Sequence, residues 1–202
     1  MTAIITFGRM SPCTRGHRKL ATKLEELGRS VDADMCGIYL SRTHDGESSK
    51  KPGKKGARRN PLSYESKIKY VKDMVSHLDV SVPNSEAKTI YEVLPELYQG
   101  GFTEVYLMVG DDREDEFSRV FTYNGDKSLP QNRFFEFKTL EVLSAGARDE
   151  NSNDPDEQAS ATLLRQCVYD LDYDRFESFA GTQSLTEEMF EECAYELGVE
   201  LD

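Results

Sequence analysis

The chain has 202 residues and carries 37 Asp and Glu against 25 Lys and Arg, a formal net charge of −12. That balance argues against general nucleic-acid binding, which needs a basic face. A local positive site is still compatible with it, because Lys50, Lys51, Lys54, Lys55, Arg58 and Arg59 fall within ten residues.

Hydrophobic periodicity predicts the elements in order. Ile4 to Phe7 reads as a strand, residues 7–17 as a Gly/Pro turn leading into a helix start, and Arg18 to Gly28 as an amphipathic helix. Residues 34–40 read as a second, buried strand. A basic insertion spans 43–62: it is either a lid that draws in phosphates or a solvated loop, and Asn60-Pro61-Leu62 re-enters the fold. Ser63 caps a helix through His77, residues 79–82 form a short third strand, and Ile90 to Tyr98 is helical up to Gly100-Gly101. The fourth strand covers 103–109, and the fifth falls in either 134–137 or 140–143. Residues 149–158 read as an acidic loop, and Ser160 opens a helix carrying Leu163, Leu164 and Val168. Phe176 and Phe179 mark a short helix. Ser184 reads as the capped start of a last acidic helix through Tyr195, and 187–201 reads as a dimer contact, a lid or, most plainly, a solvated helix. Strands alternating with helices at this spacing predict an α/β fold: a Rossmann-like open parallel sheet of about five strands, helices on both faces and a helical C-terminal extension. In such sheets ligands bind beyond the carboxyl ends of the strands.

Four scattered cysteines, Cys13, Cys36, Cys167 and Cys193, have no C-x-x-C spacing, and three histidines add little, so no metal ligands are expected. Cys13 reads as a small wall residue in preference to a nucleophile. The first residues carry no basic leader with an apolar run, and no segment approaches a membrane span; a reducing, cytoplasmic setting is expected.

The turn from Phe7 to His17 is the most telling segment. The first amides of a helix lack intrahelical partners and attract anions. Thr14 and His17 add a hydroxyl and an imidazole there, with Arg9 in the same turn. Such a set suits a polyphosphate held while one P–O bond exchanges for another. The alternative is structural: the glycines permit the turn and His17 caps a helix.

Gly8-Arg9-Met10-Ser11-Pro12 followed by Thr14-Arg15-Gly16-His17 resembles the first signature, G-x-F/M-x-P and [H/T]-x-G-H, of the nucleotidyltransferase superfamily. That superfamily includes nicotinamide-nucleotide, pantetheine-phosphate and cytidylyl transferases. Ser160-Ala161-Thr162-Leu163-Leu164-Arg165 is similar to its second signature, S-x-T-x-x-R, and Gly110-Asp111-Asp112-Arg113 to its G-[SD]-D-R segment. The wording of Arg59-Asn60-Pro61-Leu62 and of residues 144–149 looks most like the bacteriophage-encoded branch. The resemblance spans residues 1–180, leaving 181–202 as an acidic extension.

The resemblance implies transfer of AMP from ATP to a phosphorylated acceptor such as nicotinamide mononucleotide, with pyrophosphate released and Mg2+ accompanying ATP. It implies that His17, Thr14 and Arg165 carry the chemistry. Gly8, Arg9, Met10, Gly16, Gly110, Asp111, Asp112, Arg113, Arg148, Ser160 and Thr162 would bind the nucleotide. Arg148 would support the triphosphate or pair with Asp149, and Asp111, Asp112 and Arg113 would meet ribose or base, or merely cap a helix. A lysine often found before the second-signature arginine is absent, with Leu163 and Leu164 in its place. That departure keeps a second reading open, a phage virion or assembly protein using the fold as a scaffold. A homo-oligomer also stays open, and the setting would be host cytoplasm or, in the second reading, the virion.

Overall fold

A computed structural model describes residues 1–44, 60–110, 113–146 and 154–201. The basic run 50–59, Asp111, Asp112 and Arg148 lie outside the described residues, as do residues 149–153 of the expected acidic loop 149–158, whose residues 155–158 are helical instead. The chain forms two compact units, each assembled from separate stretches of sequence. A sheet unit comprises Met1–Gly8, Leu20–Ser41 and Leu78–Arg148, and a second unit comprises Arg9–Lys19, Arg42–His77 and Asp149–Asp202.

The sheet unit is built on β1 (Thr2–Gly8), β2 (Met35–Leu40), β3 (Glu104–Val109) and β4 (Thr139–Ser144). All pairs are parallel, in the order β2-β1-β3-β4. Parallel strands are covered on both faces and read as continuous apolar runs, which Ala3-Ile4-Ile5 and Val105 to Val109 satisfy. Ala3 and Ile5 share a core with Ile90, Val93, Leu94 and Leu97 of helix α3 (Ile90–Gln99). Ile4 and Cys36 are paired in register and point to the opposite face, where the Cys36 thiol donates to the Leu24 carbonyl of helix α1 (Arg15–Ser30) at 3.7 Å. Burying a side chain the size of Ile4, Leu24 or Leu94 contributes about 1.5–3 kcal/mol, so both helices are held on by several such terms. This is the α/β, Rossmann-like open parallel sheet that the sequence predicts.

Among the described residues the sheet has four strands, where the sequence predicts about five. Residues 79–82 contribute one parallel bridge, Gly37 to Ser81, in which Ser81 N donates to Cys36 O and Ile38 N donates to Ser81 O, both at 2.9 Å. Pro83 comes soon after and has no N–H, which stops the ladder from extending. Of the two candidate runs for the last strand, 140–143 is the strand. Phe135 and Phe137 belong to the core instead, where Tyr98 meets Phe134 and Phe137 edge-on at 5.7 and 5.9 Å. The short helix α4 (Glu114–Phe117) and a 3₁₀ turn, Ser118–Tyr123, lie between β3 and β4, where the sequence shows no strong period.

The second unit holds α2 (Tyr64–Met74), α5 (Pro155–Gln158), α6 (Ala161–Tyr169), α7 (Tyr173–Phe179) and α8 (Thr186–Leu197). Ser63 caps α2 as expected, its hydroxyl accepting from Ser66 N at 3.1 Å. Helix α8 departs from the solvated reading: Met189, Cys193 and Ala194 are fully buried. Its acidic side faces α2, with Glu188 paired to Lys69 and Glu192 accepting from Ser66 and Tyr70 hydroxyls. Ser184 does not cap α8; the N-cap residue is Leu185, with no side-chain cap bond.

Candidate functional site

Helix α1 begins three residues earlier than its apolar period suggests, and the reason is a reciprocal cap. Thr14, 1% exposed, is the residue before the first helical position. Its Oγ1 accepts from His17 N at 3.3 Å, while His17 Nδ1 accepts from Thr14 N at 3.0 Å. This is the geometry of a capping box with histidine in the place of the usual Glu or Gln. Thr14 Oγ1 also lies 3.0 Å from Nδ1. A backbone N–H can only donate, so Nδ1 is the accepting nitrogen, and in the neutral ring the hydrogen sits on Nε2. Thus the structural reading of His17 as a cap holds, and the same bonds fix which ring nitrogen is a donor.

The remaining second-unit candidates converge on this turn. Arg165 Nη1 donates to Ser11 O at 2.9 Å and its Nη2 to Thr162 Oγ1 at 3.0 Å. The two sequence signatures, with Ser11 and Arg165 154 residues apart, are therefore in direct contact. Ser160 caps α6, accepting from Leu163 N at 3.0 Å. Gly16 explains the glycine of the first signature: a Cβ there would stand 3.2 Å from Asp156 O and 3.4 Å from Ala159 O. A side chain there would press on the backbone leading into Ser160, which would have to give by a few tenths of an ångström. Lys19 pairs with Asp154 at 4.0 Å.

Arg9 is exposed and Met10, with φ of 44°, buries its side chain, so Met10 offers the turn its backbone alone. Gly8 and Gly110, in the sheet unit, stand at the carboxyl ends of the neighbouring strands β1 and β3. Arg113, also in the sheet unit, is committed to Glu116, with Nη2 to Oε2 at 3.1 Å, and lies 5.1 Å over the Phe117 ring.

Burial pushes the Cys13 thiol up to about 12, and its Sγ donates to Met189 Sδ at 3.8 Å. It is a protonated wall residue at neutral pH, as expected. Ser11 escaped the sequence reading: beyond receiving Arg165 on its carbonyl, its hydroxyl accepts from Leu62 N at 3.1 Å, and so ties the turn to the Asn60-Pro61-Leu62 segment. The signature pattern leaves that position unspecified, so nothing in the spacing marks it.

Among the described residues no group of three or more His, Cys, Asp or Glu could hold a metal ion. The Thr14 turn supplies imidazole, guanidinium and amide donors, which suit phosphate oxygens; Mg2+ seeks oxygen ligands. The described residues do not build a magnesium site. Among the described residues no helix is long and apolar enough to cross a membrane.

No protein-family model matches the chain, and no curated protein matches it by sequence. Among solved structures, a candidate nicotinate-nucleotide adenylyltransferase from Vibrio parahaemolyticus shares the fold, with a TM-score of 0.52 and 15% identity. The match covers 94% of this chain and 99% of the other. At that identity the likeness establishes the fold, which spans nearly the whole of both chains.

Proposed function

We propose that the chain is a nucleotidyltransferase that moves AMP from ATP to a phosphorylated acceptor, with a pyridine mononucleotide as the favoured acceptor. The observation that carries this reading is the contact of Arg165 with Ser11 O beside the Thr14–His17 cap, which joins two sequence-distant, phosphate-suited segments. The name of the Vibrio protein favours a pyridine nucleotide, and the choice of ATP over CTP rests on sequence resemblance. The bacteriophage branch rests on the wording of the sequence alone.

In the reaction an acceptor phosphate oxygen attacks the α-phosphorus, a new P–O bond forms, and the bond to the β-phosphate oxygen breaks as pyrophosphate leaves. Both reactants are anionic, so alignment and preorganised positive potential supply most of the acceleration. His17 Nε2–H donates to an α-phosphate oxygen, and that bond strengthens as charge builds there. Its orientation is fixed beforehand by Thr14, so little reorganisation accompanies the step. The amides at the start of α1 add their dipoles. Arg165 keeps the Ser11 turn in place and brings its guanidinium charge to the β- and γ-phosphates. Ser160 and Thr162 flank it. Magnesium would arrive on the triphosphate, held by phosphate oxygens and water.

One observation favours the second reading, a virion or assembly scaffold. Leu164, beside Arg165, is fully buried and Leu163 half-buried, so neither position supplies the cation expected there. The two readings separate in one assay. Purified protein with ATP, magnesium and a panel of nicotinate mononucleotide, nicotinamide mononucleotide and phosphopantetheine is expected to release pyrophosphate with one of them. Absence of both turnover and ATP binding, with co-assembly onto capsid or tail proteins, would select the scaffold.

A further inference from the structure

The segment 180–184, placed by sequence at the edge of a C-terminal extension, is bonded to the backbone of the Thr14 turn. Thr14 and Ala180 form an antiparallel bridge, and Gly181 N donates to Cys13 O at 3.2 Å. The approach is so close that a Cβ on Gly181 would stand 2.6 Å from Thr14 O, 2.8 Å from Thr14 C and 2.9 Å from Met74 Sδ. Two of those three atoms are backbone of the residue that holds His17. Further along, the segment is anchored at the end of α2. Asp73 Oδ2 accepts from Gln183 N at 2.6 Å and from Ser184 N at 3.1 Å, and its Oδ1 from the Ser184 hydroxyl. Gln183 also donates to Met74 O at 3.2 Å and reaches the His77 ring.

We infer that residues 180–184 are a strap that sets the position of the Thr14–His17 pair, with Gly181 as its contact point and Asp73 as its anchor. Both are positioning residues: neither touches the reacting phosphates, and each acts through the backbone of Thr14. The inference rests on the reading that His17 meets the phosphate, but its geometric half stands without it. A misplacement of roughly 1 Å can cost about a hundredfold in rate, and a methyl on Gly181 must displace either Thr14 or the strap by a comparable amount. Position 181 therefore belongs to the site although it lies far along the chain from Thr14.

The test is Gly181→Ala, with imidazole nitrogen NMR as the first readout, feasible because the chain has three histidines. In the wild type His17 Nδ1 is expected to give the signal of a bare, accepting nitrogen. Gly181→Ala is expected to lose that signature at His17 and to lower kcat by about a hundredfold with little change in the KM for ATP. Tyr70→Phe, which removes the hydroxyl bonded to Glu192 elsewhere in the same unit, is the control. It is expected to lower the melting temperature and leave the His17 signal unchanged. Should Gly181→Ala fail to fold, Asp73→Asn takes its place, because the uncharged side chain weakens the anchor and adds no bulk. A folded Gly181→Ala or Asp73→Asn variant whose His17 signals match the wild type overturns the strap. If the wild type turns over no acceptor, the transferase reading fails, and the NMR comparison alone still decides the strap.

Discussion

The two helix starts that carry the signatures differ in one bond. At α6 the Ser160 hydroxyl accepts from Leu163 N, and the leucine side chain has nothing to offer in return. At α1 the Thr14 hydroxyl accepts from His17 N, and the His17 ring in turn accepts from Thr14 N. Both read in the sequence as a hydroxyl residue three places before a helical one. The outcomes diverge because the third residue differs: leucine packs, whereas imidazole is turned and held. The lesson is that a cap fixes the orientation of a side chain only when that side chain returns a bond of its own.

The variants that test this comparison rank by expected effect. His17→Ala removes the oriented donor and should lower kcat by about 10²–10³-fold, as loss of one preorganised donor does, with the far-ultraviolet spectrum unchanged. Arg165→Lys keeps the charge but cannot make both the Ser11 O and Thr162 Oγ1 contacts as a fork. The expected loss is about 1.5–3 kcal/mol, roughly ten- to hundredfold in kcat/KM, read in the same pyrophosphate assay. Smallest is the pair of cap deletions. Thr14→Ala and Ser160→Ala should each cost about 1 kcal/mol in urea unfolding, but only Thr14→Ala should also alter the His17 ring signals. Equal effects of the two on those signals would erase the distinction between the helix starts.

A pH dependence sharpens the role of Cys13 in the same turn. Its folded-state pKa is raised, from an ordinary value of 9.0 to about 12, by burial. Below 9.0 both folded and unfolded chains keep the proton, so the contribution is fully present. Above it the unfolded chain releases the proton first, and stability falls as pH rises toward 12. Wild-type urea midpoints should therefore fall between about pH 8 and about pH 10.5 more steeply than those of Cys13→Ala. The acid side runs the other way for Asp73. Burial raises its carboxyl, but hydrogen bonds from Ser184 and Gln183 outweigh this and hold it below 3.8. Its contribution is present above that value and fades as pH falls through the lowered one.

Much of this arrangement could be read from the chain. The strands β1, β2 and β3 stand out as apolar runs, and the caps Ser63 and Ser160 sit where hydroxyl residues precede amphipathic periods. Other parts could not. Residues 79–82 look like a strand, yet pairing stops at one bridge, because edge pairing depends on Pro83 and on what lies beside it. Phe134 to Phe137 has strand composition but serves the core around Tyr98, and side-chain burial alone does not specify a ladder. Ser184 has the pattern of a cap and instead bonds Asp73, 111 residues away. The strap itself was invisible for the same reason: Gly181 carries no side-chain signal, and its importance is the 2.6 Å to Thr14 O that a Cβ would impose.

The most direct measurement is titration of ATP into the wild-type protein while the ring signals of His17, His44 and His77 are monitored together. The expected result is a saturable shift at His17 Nε2 that Arg165→Lys weakens, with His44 and His77 unmoved. Saturable ATP binding that leaves His17 untouched, or no binding at all, would contradict the role assigned to the oriented imidazole.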